Sequence, residues 1–494
     1  MKTRKQPILR TLAAALSVLA LTTPLSAACG GSGPGATLLF PYFEVDAEGH
    51  DGRTTLISVQ SSSPRPHLTH VVLWSNCAVP VLDFDLYLGP YELRSIDLRS
   101  LLFAGLLPAS DPRDEAPPGC GSPLALPDFD PATLRQQLSG APVGEQCYAA
   151  AIGDRVVTGY LTVDVVRECS PSVRTPYDEG YFGEGGLAGD ENVLAGEIFL
   201  LDSPGDSAQG LSAVSLRAEA EGGETSFYRH GDNRQGLPAV HQAHYLNGGA
   251  FDGGTDLLYW IDQSWSFPDG EAPAPWSCAR PEAMCPWSGG HRLVLRGRDE
   301  AGRQPAKPDS APQVSLRHQS LRAGRLGVGE DVPVAVSFGT LEACLGYEDV
   351  HDEPPPRGQS WILPVHTAEG RYSAGLQSVG LCPDDLPRHP LQVEVPPWLR
   401  DVILGFECEP AAELSREIVR YTYDGESVYL FPFPTECCDR WQSVYDENGE
   451  FVCAPAGGIS GQGDFQCPDF FADATDETLV WRDPRPPEQG VNWP

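Results

Sequence analysis

The strongest metal-like spacing in this sequence is His241-Gln242-Ala243-His244. Two imidazoles three residues apart converge on one ion if their segment is helical, and His230, Asp252 and Asp256 stand nearby in sequence. Zinc is the ion such a set would take. In an extended segment the same two histidines point to opposite faces, and the surrounding Asn233, Gly236, Pro238, Gly248 and Gly249 read as loop. Asp252-Gly253-Gly254-Thr255-Asp256 could present two carboxylates to calcium, but its spacing is not that of a known calcium loop, and a glycine-rich turn leading into the strand 257–260 explains it without any ion. Asp83 and Asp85 alternate with apolar residues, which marks them as the solvated face of a strand, not as an acid pair.

Motifs for other chemistry are missing. Gly458-Ile459-Ser460-Gly461 lacks the second glycine of a nucleophile elbow. No phosphate-binding loop and no dinucleotide fingerprint occurs. Gly457 to Gly463 lies between two cysteines, where a stapled turn is the simpler reading. Trp260, Trp265, Trp276 and Trp287 crowd one stretch, where they would stack on sugars or a partner protein, or plug the end of a sheet packing. No cofactor is expected beyond the zinc or calcium just considered.

Composition narrows the class. The 494 residues carry 34 Lys and Arg against 68 Asp and Glu, a net charge of −34, which excludes nucleic acid as a partner. Gly 52 and Pro 47 make about a fifth of the chain and favour strands and turns over long helices. Residues 1–28 have the three parts of a secretory signal: Lys2, Arg4, Lys5 and Arg10, the apolar run 12–21, and Ser26-Ala27-Ala28. The run is too short to span a bilayer, and no later segment is long and apolar enough. Cleavage after residue 27 leaves 30 basic residues against 68 acids, a net −38. The localisation expected is the periplasm, the cell surface or the medium.

Residues 25–29 (LSAAC) are similar to a bacterial lipobox displaced by one residue, which implies lipid attachment at Cys29 with 29–35 as a flexible tether. Ordinary cleavage, with Cys29 as a thiol or disulfide partner, is the alternative. The 14 cysteines contain no C-x-x-C, and in an oxidising compartment most form disulfides. The candidates are Cys278, Cys285, Cys344, Cys382, Cys437, Cys438, Cys453 and Cys467. Adjacent Cys437 and Cys438 cannot bond each other without strain, so Cys453 and Cys467 are their nearest expected partners.

The fold class expected is mainly β. A sandwich-like body with long Pro/Gly-rich loops occupies 36–265, a Pro/Trp/Cys-rich connection 266–312, and a further β region 313–394 packs with the first. A small disulfide-stapled α+β domain fills 395–485, and 486–494 is a loose tail. Strands are expected at 54–59, 68–74, 81–88, 156–166, 194–201, 213–218, 257–261, 293–295, 332–338 and 360–365. Helices are expected after Asp130, with Pro131 at its first position, and over 397–406, where Trp398, Val402 and Phe406 share a face.

Two resemblances add family membership. Residues 36–46 (ATLLFPYFEVD), 52–57 (GRTTLI), 70–74 (HVVLW), 82–88 (LDFDLYL), 159–169 (GYLTVDVVREC), 248–256 (GGAFDGGTD) and 370–375 (GRYSAG) resemble a group of uncharacterised secreted bacterial proteins, over about 34–382. Residues 395–485 resemble a small uncharacterised domain common at the ends of bacterial lipoproteins. The matching residues include 397–399 (PWL), 421–425 (YTYDG), 437–439 (CCD), Gly449, Cys453, Gly463-Asp464, 467–470 (CPDF) and 479–481 (LVW); Phe465 departs from a usual glycine. Neither resemblance implies a reaction. The function expected is therefore a non-enzymatic extracellular or envelope-associated binding or structural protein, with carbohydrate or an envelope protein as partner. The alternatives are a metal-dependent extracellular hydrolase using His241 and His244, and a lipid-anchored envelope-assembly protein.

Overall fold

The computed structural model describes residues 33–48, 52–110, 117–151, 156–183, 185–203, 207–219, 226–228, 232–247, 253–262, 274–278, 285, 291–298, 309–310, 316–321, 337–347, 358–368, 372–375, 379–381, 391, 393–408, 416–432, 441–458 and 461–483. Among the sites expected from sequence, Cys29, His230, Asp252, Cys382, Cys437 and Cys438 lie outside the described residues, as do Trp265, Trp287, the signal segment and the tail.

In chain order the first region holds β1 (Thr37–Asp46), β2 (Arg53–Ser61), β3 (His67–Ser75), β4 (Pro80–Leu88), β5 (Leu93–Asp97), α1 (Leu98–Ala104), α2 (Pro131–Ser139), β6 (Gln146–Cys147), β7 (Val156–Val166), β8 (Leu194–Asp202), β9 (Ser207–Ser212) and β10 (Val214–Leu216). Next come β11 (Val240–Asn247), β12 (Gly254–Ile261), β13 (Trp276–Ser277), β14 (His291–Arg298), β15 (Asp309–Ser310), β16 (Leu316–Leu321), β17 (Ser337–Tyr347), β18 (Ser360–Ala368), β19 (Tyr372–Gly375) and β20 (Val379–Leu381). The C-terminal region holds α3 (Pro397–Cys408), β21 (Glu417–Tyr423), β22 (Glu426–Phe431), β23 (Trp441–Tyr445), β24 (Phe451–Gly457), α4 (Phe470–Asp473) and β25 (Thr475–Arg482).

The body is a stack of four antiparallel sheets. The outer sheet runs β5-β2-β8-β9 and the inner sheet β10-β1-β7-β3-β4. A third sheet, β16-β12-β18-β19, and a fourth, β15-β14-β17-β11-β20, complete it. Gly196 of β8 brings the outer sheet onto Leu38 and Phe40 of β1. On the other face of the inner sheet, Tyr160 of β7 meets Trp260 of β12 edge to face, with centroids 5.9 Å apart. Leu258 and Trp260 join the first core, whereas Leu257, Tyr259 and Ile261 pack with Leu293, Leu295, Leu341 and Leu345 of the fourth sheet.

This layering follows from the strand patterns. A strand with one apolar face alternates in burial, as β2 and β4 do; a strand enclosed between sheets is buried almost throughout, as β1, β3, β7 and most of β12 are. Pro41 interrupts β1 without breaking the sheet, because the register shifts between Phe40 and Phe43. Gly159 sits opposite that irregularity; a Cβ there would meet the Phe43 ring at 2.6 Å. The grouping of strands differs from the expectation: β11 and β12 pair with β16, β17, β18 and β20, so the third and fourth sheets begin at Val240.

α2 begins where expected, with the Asp130 side chain accepting from Ala132 and Thr133 amides. α1 lies outside the helices expected from sequence; Asp97 caps it in the same way and Gly105 closes it at a φ of 66°. α3 lies on the C-terminal sheet, β24-β23-β22-β21-β25, burying Leu399, Val402 and Ile403 against Ile418, Tyr429, Phe431 and Tyr445. Its other side carries Leu404 and Cys408 to Val240 and Cys344 of the fourth sheet. At the turn 446–449, Gly449 takes a φ of 86° beneath the Trp398 ring, whose Nε1 donates to the Glu447 carbonyl at 2.9 Å.

Candidate functional site

The expected metal ligands are spread over separate surfaces. His241 is buried on the face of β11 that meets the third sheet, with Nε2 3.1 Å from both the Ser360 carbonyl and its hydroxyl. Burial pushes its pKa down to about 4, against the opposing pull of the Ser360 and Pro238 backbone. His244, three residues along an extended strand, is exposed on the opposite face. Asp256 shares the face of β12 that carries Leu258 and Trp260, beyond the third sheet from His241. His244 does approach another histidine: burial, then the His244 charge, hold His366 below its ordinary pKa. The described residues hold no group of three or more His, Cys, Asp or Glu placed to take a metal ion.

The concentrated polar chemistry lies elsewhere, on the face of the inner sheet turned away from the outer sheet. Strand register aligns Thr37, Asp164, His70 and Asp85 across β1, β7, β3 and β4. Asp164 is fully buried and takes hydroxyl donors from Thr37, from Tyr181 at 2.8 Å and from Tyr228 at 3.0 Å. Arg234, also fully buried, donates from Nε to Thr37 at 3.1 Å, from Nη1 to Asp190 at 3.2 Å and from Nη2 to the Gly189 carbonyl at 2.6 Å. The hydroxyl of Thr37 thus bridges a guanidinium and a carboxylate. Burial, with the Asp164 charge next, raises the Tyr181 and Tyr228 phenols well above 10, so both remain O–H donors at any physiological pH.

His70 closes the row. It is only 4% exposed, with Nδ1 2.7 Å from Asp85 Oδ1 and Nε2 2.7 Å from the Arg174 carbonyl. Burial opposes its charge, but the Asp85 hydrogen bond and charge, the Arg174 carbonyl and Asp83 together raise its pKa. Asp83 receives the Arg174 guanidinium at 3.2 Å. Asp83 and Asp85 are therefore not a solvated face. The 170–182 segment covers that face, because the carboxylates serve His70 and Arg174. A histidine–aspartate pair is the core of a nucleophilic triad, but there the far nitrogen must accept a proton from the nucleophile. Here the far nitrogen donates to a carbonyl.

Beside the row is a small aromatic cavity of about 20 Å³, lined by Trp74, Tyr160, Tyr177, Phe227, Tyr228, Trp260 and Asp262, among others. That is room for about one water molecule. Trp74 stacks on Tyr160 at 5.8 Å, and Phe227 on Trp260 at 5.6 Å. Trp74 donates to Thr162 at 2.9 Å, while the Trp260 indole N–H approaches the Tyr160 hydroxyl without reaching hydrogen-bond geometry. Trp260, read from sequence as either a stacking platform or a plug, is buried between sheets.

Disulfides hold these layers. Cys77 bonds Cys285 and Cys147 bonds Cys278, across 208 and 131 residues of chain, and Cys120 bonds Cys169 beside the covering segment. Cys344 bonds Cys408, tying β17 to α3. Cys453 bonds Cys467, which corrects the expectation that these two serve Cys437 and Cys438. The Gly457–Gly463 turn lies inside that bridge, and its Gly463 amide donates back to the Gly457 carbonyl at 3.0 Å.

The buried row was missed in the sequence, though a signal exists. Asp164 and His70 are charged or titratable residues inside otherwise apolar strands, VVTGYLTVDVV and HLTHVVLWS. Arg234 carries no such signal, because it stands in a turn-rich stretch 70 residues after Asp164.

Comparison with known proteins adds little chemistry. No curated protein matches the chain. A solved structure of a candidate beta-galactosidase from Bacteroides fragilis aligns at 9% identity and a TM-score of 0.12, over 69% of this chain and 32% of that one. This chain therefore spans about a third of that protein's length, and the likeness carries no argument. Residues 405–483 match a family model described as a domain of unknown function, DUF6970, so the C-terminal part of the chain carries a domain of that uncharacterised family.

Proposed function

We propose that this chain is an exported extracellular or envelope-associated protein that binds or builds and performs no reaction of its own. What supports the reading above all is the engagement of the buried row: the groups able to do acid–base work, His70 and Asp164, are each committed to internal partners. Bridges that join segments 208 and 131 residues apart fit an oxidising compartment. No helix among the described residues is long and apolar enough to cross a membrane, which fits a protein not embedded through helices.

The test is fractionation of a bacterial host expressing the full-length chain, with non-reducing peptide mapping and melting with and without EDTA. Recovery outside the cytoplasm with Cys77–Cys285 and Cys147–Cys278 intact, and a midpoint indifferent to EDTA, is expected. Cytoplasmic recovery with free thiols overturns export. A midpoint that falls with EDTA only while His241 and His244 are present replaces the reading with a metal-dependent one.

A further inference from the structure

We propose that residues 170–178 form a pH-sensitive strap over the inner sheet, latched by a doubly donating His70 imidazolium and released when that ring loses a proton. The geometry requires two donors. Both partners of the ring, the Asp85 carboxylate and the Arg174 carbonyl, only accept, and both contacts are 2.7 Å. A neutral imidazole has one N–H. It would keep the stronger, charge-assisted bond to Asp85 and turn a lone pair toward the Arg174 carbonyl.

Apart from the latch, the strap is held by the apolar contacts of Val173 and Tyr177 and by buried Thr175 and Pro176, with one further polar tie to the sheet. The Arg174 guanidinium pairs with Asp83 at 3.2 Å but is 55% exposed, so water and salt weaken this pair. The Arg174 and Thr175 amides both donate to Asp178 at 2.7 Å, a bond within the strap that does not hold it to the sheet. Tyr177 meets Trp74 edge on at 5.9 Å and lines the aromatic cavity, so lifting the strap opens the cavity beside Trp74 and Tyr160. Beyond the strap, Tyr181 stays anchored on Asp164, and Cys169 is held by Cys120. These fixed ends make the segment between them the part able to move.

The charged and titratable groups facing His70 are Asp83 and Asp85 from β4, Asp164 from β7, and Arg174 and Tyr181 from the covering segment. The Asp85 and Asp83 carboxylates and the Arg174 carbonyl favour the protonated ring. The pKa of His70 is raised from its ordinary 6.5. The latch is therefore at full strength below about 6.5 and weakens as pH rises through the raised folded value.

Hydrogen exchange of the full chain between pH 6 and 9, corrected for intrinsic rates, tests this. Protection of peptides spanning 172–178 is expected to fall by up to about tenfold per pH unit within the window, the slope of one linked proton. In His70→Gln the same peptides are expected to show no such slope. Nitrogen-15 NMR of the wild-type ring reads the latch without any variant, and two N–H signals at pH 6 are expected. A flat wild-type profile, a slope that survives in His70→Gln, or a singly protonated ring at pH 6 would each overturn the proposal.

Discussion

Two buried histidines on stacked sheets have pKa values moved in opposite directions. His70 and His241 are each 4% exposed and each stands in a central strand. His70 faces Asp85 and a carbonyl with Asp83 nearby, and its pKa rises; His241 faces a hydroxyl and a carbonyl, and its pKa falls to about 4. Burial alone disfavours the imidazolium at both sites. The carboxylates decide the difference, so exposure is a poor guide to charge in this protein.

Removing a carboxylate is the most severe way to break the contrast. Asp85→Ala leaves a buried imidazolium without its counter-charge and is expected to lose about 3–5 kcal/mol at pH 6, read by urea unfolding. The loss should be smaller at pH 9, where the ring can discharge. Next in size is the acid side of His241. Its folded pKa of about 4 lies below the ordinary 6.5, so its contribution is complete above 6.5 and is lost as pH falls toward 4. Roughly 2–3 kcal/mol should disappear from the wild type between pH 7 and 4.5, and His241→Leu should lack that portion of the slope.

Converting one site into the other sharpens the comparison further. Ser360→Asp places a carboxylate where His241 now meets a hydroxyl, and an NMR titration should show the His241 pKa moving up. An unmoved titration would mean that desolvation, not the neighbour, governs the site. The smallest effect belongs to His244. It is exposed on the far face of β11, so His244→Ala should change the unfolding free energy by no more than about 0.5 kcal/mol. A larger change, or one that appears only without EDTA, would put a ligand on that histidine.

Legibility followed the range of each interaction. The Asp130 cap and the amphipathic face of α3 depend on residues a few positions apart, and both are legible in the sequence. The Asp97 cap of α1 is equally local, but the seven-residue helix it starts is too short for a helical period to show in the sequence. Alternation puts Asp83 and Asp85 on one face of β4, but a period of two cannot say whether solvent or another segment covers that face. Cys453 and Cys467 pair with each other across 14 residues, a choice that cysteine spacing alone leaves open.

What the sequence by itself determined is the β character, the alternation along β4, the Asp130 cap, and an acidic chain with 14 cysteines. These rest on local geometry and on sums over composition. Only the tertiary structure decided the order of the four sheets, the alignment of Thr37, Asp164, His70 and Asp85, the separation of His241, His244 and Asp256, and the pairing of cysteines up to 208 residues apart. The physical reason is that a side chain's charge state and partner depend on atoms a few ångströms away. In a stacked-sheet protein, those atoms arrive by register from strands distant in the chain.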